Sequence, residues 1–204
     1  TFFPPGDDFL TTLSAFGIFA AGFIMRPLGA YVMGSIGDLW GRRTALCISI
    51  FCMGIPAFVT GLTPSFASIG YWAPCVITLC RLLQGLSAGG EFNGAAIFIL
   101  EHMDHQRKGF YSSFISVSGG LGALLAMSMG GLIQLLELPP ESFRVPFLGG
   151  GVVSLVGFYM RKNLEESPEF QKPSSPTKPH SSLKKLFTQH PKALTLTFTM
   201  GALD

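Results

Sequence analysis

"GSIGDLWGRR", residues 34–43, is the stretch on which the reading of this sequence turns. Three glycines (Gly34, Gly37, Gly41) frame one acid, Asp38, and the basic pair Arg42 and Arg43, with long apolar runs on both sides. A dinucleotide-binding loop needs GxGxxG between a strand and a helix. Here the glycine spacing differs, and the preceding run has the length and composition of a membrane span. The stretch therefore reads as a connector between two spans.

The rest of the chain supports that context. Hydrophobic residues make up 48% of the 204 and charged residues 13%, against about 25% charged in an average soluble domain. The 19 Phe and 25 Gly suit helices packed in lipid. A net charge of +2 gives no footing for nucleic acid. A spanning helix needs about 20 mostly apolar residues. Such runs fall at about 9–33, 45–63, 73–100, 111–136 and 145–160, and another begins near 191. No segment alternates with period two, as a barrel strand would. The expected fold is an all-α membrane protein. Residues 164–190, rich in Pro, Ser and Lys, read as a linker. The first and last residues resemble cut ends, so the chain is expected to be a piece of a longer protein.

Charge asymmetry predicts orientation. All but three of the 14 Lys and Arg residues fall in connectors 34–44, 101–110 and 161–192. The opposite connectors, 1–8, 64–72 and 137–143, hold none. Under the positive-inside rule the 34–44 loop and the 164–190 linker are cytoplasmic.

The three remaining cations are Arg26, Arg81 and Arg144. Arg144 lies at the outer edge of a span, where its head reaches water. Arg26, Arg81 and Glu91 lie inside spans, where an ionisable group costs several kcal/mol unless paired or hydrated. In "RLLQGLSAGGEFNGA" (81–95), Arg81, Gln84, Ala88 and Glu91 fall within about 80° of helix circumference. Gly85, Gly89, Gly90 and Gly94 lie on the other faces and permit close helix approach. Such a stripe either clamps helices or lines a hydrated cavity. Arg26 and Glu91 lie about 10 and 14 Å from the same membrane surface, so the expectation is that they pair or share a hydrated pocket. Arg81 is then expected to have no partner within these residues. Pro27 is expected to kink the first span.

"GSIGDLWGRRTAL" resembles the signature loop between helices 2 and 3 of the major facilitator superfamily, through Gly34, Gly37, Asp38, Gly41, Arg42, Arg43 and Leu46. Arg81, Gln84 and Gly85 match its helix-4 pattern. Longer stretches, "IMRPLGAYVMGSIGD", "RLLQGLSAGGEFNGAAIFILEH", "RKGFYSS" and "FRVPFLGG", resemble the metabolite:proton symporters, which include proline/betaine and 2-oxoglutarate permeases. Phe143 stands where relatives often carry Trp, and the Gly-Pro helix-5 motif of drug antiporters is missing.

The resemblance implies a partial N-terminal bundle, residues 1–163, holding helices 2–6 and lacking helix 1. Residues 191–204 would begin helix 7 of the C-terminal bundle. It implies secondary active transport of a small organic solute, an osmolyte or a carboxylate, by alternating access in a bacterial inner membrane. Arg26, Arg81 and Gln84 become substrate-binding candidates. Burial favours a neutral carboxyl and a nearby cation the ionised form, which makes Glu91 the proton-coupling candidate. Gly34, Asp38, Gly41, Arg42 and Arg43 become a gate latch, with Asp38 bonding Arg42 or the start of a helix in the partner bundle, and Gly34 and Gly41 allowing close approach and a tight bend. Glu101 and "NLEESPEF" (163–170) join that gate region. Implied partners are lipid, the solute, helix 1 and the C-terminal bundle; the coupling ion is the proton, with no other cofactor.

Other chemistry finds no footing. Cys47/Cys52 and Cys75/Cys80 are five apart and read as packing residues. "EHMDH" (101–105) reads as a polar loop rather than a metal site. No catalytic constellation appears, so no enzyme is expected. The alternative from another class is a transporter-like sensor or scaffold.

Overall fold

The computed structural model describes residues 2–4, 6, 8–103, 107–167, Phe170 and Thr195. Residues 1–171 form one compact unit and 172–204 a second. The elements named below lie in the first. The 164–190 linker beyond residue 167, apart from Phe170, and the apolar run after 191, apart from Thr195, lie outside the described residues.

The described elements are α1 (Asp8–Trp40), α2 (Arg42–Leu62), α3 (Phe66–Ile69), α4 (Trp72–His102), α5 (Lys108–Leu135), a 3-10 turn (Pro140–Phe143) and α6 (Arg144–Lys162). No strand occurs among them. A helix covers each of the five apolar runs read before residue 191. The connector expected at 34–44 is almost entirely helix: α1 continues through Gly34, Gly37 and Asp38 to Trp40. Gly34 and Gly37 take helical backbone conformations. Only Gly41, at φ 98° and ψ 151°, breaks the chain direction. That left-handed backbone is one that residues with a Cβ rarely adopt.

Four segments are long and apolar enough to cross a membrane: Phe9–Trp40, Arg42–Leu62, Lys108–Leu135 and Pro140–Lys162. Their apolar side chains point outward, as with Phe16, Ile24, Ile55, Leu125 and Val153. This is the inverse of a soluble core and suits a lipid solvent. The fifth long helix, α4, carries Arg81, Gln84 and Glu91 and is not one of the four. It packs against both α1 and α2, while α2 also packs on α6.

Glycine sets the α1–α4 spacing. A Cβ at Gly85 would strike the Gly22 carbonyl, one at Gly89 the Arg26 carbonyl, and one at Gly29 the Leu86 carbonyl. The obstacles are backbone atoms and cannot swing away. Without a hydrophobic drive between helices in lipid, such close backbone packing is a main source of association. Its consequence is positional: Arg26 on α1 and Arg81 on α4 flank one seam.

Candidate functional site

Among the described residues, polar side chains gather in three clusters. The first is a cavity of about 250 Å³ between α1, α2 and α4, walled by Phe19, Phe23, Arg26, Met53, Arg81 and Gln84. The Arg81 Nη1 donates to Gln84 Oε1 at 3.2 Å. They are three residues apart on one helix, so the helix itself fixes this pairing. The expectation that Arg81 has no partner in this chain is therefore corrected. The Phe147 ring of α6 lies 5.8 Å from the Arg81 guanidinium carbon. Arg26 lies over the Phe23 ring, its guanidinium carbon 3.9 Å from the centroid. Stacking holds the guanidinium plane while its N–H edge stays available. The cavity offers two cations, one amide and aromatic walls.

The second place is a node joining α2, α4 and α6. Glu91 is not paired with Arg26, as matching depths had suggested. Its Oε1 lies 2.6 Å from Nη2 of Arg161. Arg161 Nη1 also donates to the Leu46 carbonyl at 2.9 Å and to Ser49 Oγ at 3.4 Å. Ser49 Oγ donates to that same carbonyl, and Ser87 Oγ to the Ser49 carbonyl at 2.6 Å. Both members of the ion pair are 24% exposed. Depth alone left the partner open; α6 decides it by running to Lys162 and carrying Arg161 into the bundle. Counting Arg161 among connector charges hid this role. The polar stripe of α4 thus divides: Arg81, Gln84 and Ala88 line the cavity, and Glu91 turns to α6.

The third place is the end of the bundle around Gly41. Arg42 bridges two acids, with Nη2 at 2.9 Å from Asp38 Oδ1 and Nε at 3.5 Å from Glu101 Oε1. A Cβ at Gly37 would lie 2.9 Å from Arg42 Nη1, so Gly37 makes room for Arg42 to fold back on α1. Nothing crowds Gly34; close approach, expected of Gly34, belongs to Gly37. Arg43 takes part through its amide, which donates to Glu166 Oε1 at 3.1 Å. The Ser167 amide donates to the same oxygen at 3.1 Å, and Ser167 Oγ donates to Glu101 Oε2. The Glu166 carboxylate also packs against Gly41. An anion at a helix start satisfies orphan amides and the helix dipole. In these residues Glu166, not Asp38, holds that position, at the start of α2.

Arg144 opens α6 at the far end of α2. Its Nη1 donates to the Gly61 carbonyl at 3.2 Å, and its Nε is enclosed.

A helical bundle with apolar outer faces and charged groups between its helices defines a multi-pass membrane protein. Residues 1–203 match the family model of the Major Facilitator Superfamily, and the chain belongs to that superfamily. Its relatives include the shikimate transporter of Escherichia coli (38% identical, 83% of this chain, 40% of that protein). The proline/betaine transporter of Salmonella typhimurium is 38% identical over 83% of this chain and 35% of its own length. The citrate-proton symporter of Klebsiella pneumoniae is 38% identical over 83% and 39%. The chain therefore spans well under half the length of these relatives. Among solved structures, the partially occluded inward open conformation of the xylose transporter XylE from E. coli matches with TM-score 0.71 at 15% identity, over 98% of this chain and 50% of that one. That likeness concerns the fold.

Proposed function

We propose that this chain is the substrate-bearing half of a secondary active transporter that moves a small carboxylate-bearing solute together with a proton. The observation that carries this reading is the cavity in which Arg26, Arg81 and Gln84 face one space between α1, α2 and α4. A cation in that setting is costly unless it serves a polar ligand. Two guanidinium groups suit one carboxylate, because each offers a planar fork of donors. Relatives named for shikimate, proline/betaine and citrate all handle molecules that carry a carboxylate.

Proton coupling is assigned to Glu91, with Arg161 as its fixed counter-charge. A carboxylate can take up a proton where a guanidinium cannot give one up, so the coupling role falls to Glu91. Protonating Glu91 removes the ionic link between α4 and α6 but leaves Arg161 on the Leu46 carbonyl. The cluster of Asp38, Arg42, Glu101, Glu166 and Ser167 acts as a latch that holds α1, α2 and α4 together with residues 163–167 in one access state. Alternating access then requires these contacts to break as one bundle rocks against another. The latch end faces the cytoplasm of a bacterial inner membrane by the Lys/Arg asymmetry. Helix 1 and a C-terminal bundle complete the transporter.

The test is uptake of labelled proline, betaine, shikimate, citrate and 2-oxoglutarate by cells expressing the full-length protein, at two external pH values. Accumulation of at least one of them that rises at the lower pH supports the reading. No accumulation of any, beside normal membrane insertion, removes it.

A further inference from the structure

The α2–α6 interface carries a feature that the transport reading does not use. Gly54 lies against Ser154, Gly151 against Phe58, and Gly61 against Leu148, so the two helices share a continuous seam. Beside it runs a cavity of about 180 Å³, walled by Phe51, Ile55, Phe58, Val59, Gly151 and Leu155. Ile55 and Leu155 are 57% and 61% exposed, so the cavity opens to the medium around the bundle. Its one polar wall group, Ser154, spends its hydroxyl on the Gly150 carbonyl at 2.9 Å. A groove of this kind accepts hydrocarbon and offers nothing to a polar solute.

A cation stands beyond it: Arg144 Nη1 reaches the Gly61 carbonyl, two residues past Val59 of the cavity wall. Arg144, Leu148, Gly151 and Leu155 recur at i, i+4, i+7 and i+11 on α6, which is one stripe of a helix. Gly151 and Leu155 lie about 10 and 16 Å along the axis from Arg144. That depth spans about half of the roughly 30 Å hydrocarbon core of a bilayer. The Gly61 carbonyl takes one donor of Arg144 and its Nε is enclosed, which leaves Nη donors. Among the described residues no carboxylate pairs with it, although Glu141 precedes it by three positions. A guanidinium with no carboxylate partner among the described residues, about one helical turn beyond an apolar groove, matches the two ends of a phospholipid.

We propose that the α2–α6 seam binds one anionic phospholipid, its phosphate on Arg144 and an acyl chain along Phe51, Ile55, Phe58 and Leu155. The site lies at the bundle end opposite the Asp38–Arg42–Glu101 cluster and is independent of the Arg26–Arg81 cavity. A guanidinium–phosphate pair is charge-assisted and bidentate. The acyl chain adds contact rather than selectivity, so discrimination between lipids rests with Arg144.

The test uses the full-length protein in vesicles containing a phosphatidylglycerol with a diazirine in its acyl chain. After irradiation, labelled peptides are mapped. The expected result is label concentrated in 50–59 and 151–155, above the level on α5. Arg144→Gln should lower that excess about tenfold while label on α5 stays constant. Leu155→Trp, which fills the groove from an exposed position, should do the same with Arg144 intact. A matching diazirine diacylglycerol, which lacks the phosphate, should show no excess. Equal labelling of α5 and the seam, or an excess that survives Arg144→Gln, overturns the proposal. Loss of label on α5 as well in Arg144→Gln marks a folding defect, and the diacylglycerol and Leu155→Trp results then decide.

Discussion

Arg161, in the last turn of α6, places its guanidinium 2.6 Å from the carboxylate of Glu91 on α4 and at the same time caps the Leu46 carbonyl of α2. One side chain thus ties three helices, and its removal should be felt unequally from the two ends of the pair. Arg161→Met leaves a half-buried carboxylate with no cation and takes a donor from Leu46 and Ser49. Glu91→Gln keeps an acceptor for Arg161. The expected losses are about 2–3 kcal/mol for Arg161→Met and about 1 kcal/mol for Glu91→Gln. The double variant should recover part of the difference. Thermal denaturation of the purified full-length protein in detergent measures all three, and equal losses from the two single variants would contradict the assignment.

The glycine seam between α1 and α4 predicts a position-specific pattern. Gly85→Ala and Gly89→Ala push a methyl group onto the carbonyls of Gly22 and Arg26, neither of which can rotate away. Each should cost about 1–3 kcal/mol. Gly130→Ala on α5 meets nothing within 4 Å and should stay within about 0.5 kcal/mol of the parent. The same denaturation series separates the two classes. If all three behaved alike, helix propensity rather than close packing would govern the seam.

The end cluster should separate stability from gating. Asp38 is 55% exposed and Arg42 is 21% exposed, so their bond contributes less than about 1 kcal/mol. Asp38→Asn should leave the denaturation midpoint nearly unchanged. Arg42→Gln also loses Glu101 and should lower it further. Arg42→Lys should fail to restore both contacts, because an ammonium lacks the fork that spans two acids. Accessibility of a thiol placed on the latch side of the cavity, Ala88→Cys, reports access state. It should rise in Asp38→Asn if the latch is real, and stay constant if these residues only set topology.

Gly41 supplies a fourth prediction. Its φ of 98° and the Glu166 carboxylate packed against it leave no room for a Cβ. Gly41→Ala should cost about 1–3 kcal/mol and expel Glu166 from the start of α2. Hydrogen exchange at the Arg43 amide reads this directly. Faster exchange is expected in both Gly41→Ala and Glu166→Ala, and unchanged protection would show that Glu166 does not cap α2.

Much of this architecture is legible in the sequence because a bilayer imposes simple rules. Helix length follows from the thickness of the core, and the apolar runs are long. The glycines of "QGLSAGG" mark close packing before any partner is known. What escaped was partner choice. The depths of Arg26 and Glu91 agree, but which face of α4 meets α1 and which meets α6 is settled by tertiary packing. Arg161 falls among the connector charges in the sequence because a basic residue at a helix end looks the same whether it faces water or turns inward. The 34–44 stretch read as a loop because its glycines suggested one. Two of the three take ordinary helical backbone, and only Gly41 uses its freedom.

The central claim is that Arg81 and Arg26 receive a carboxylate whose movement is coupled to protons. Solute accumulation in energised vesicles bearing the full-length protein, measured for the parent and Arg81→Gln with and without a protonophore, tests it most directly. The account predicts that the protonophore abolishes accumulation. It also predicts that Arg81→Gln raises KM for the carboxylate at least about tenfold, with the protein normally folded. Accumulation that persists without the proton gradient and an unchanged KM in Arg81→Gln would contradict it.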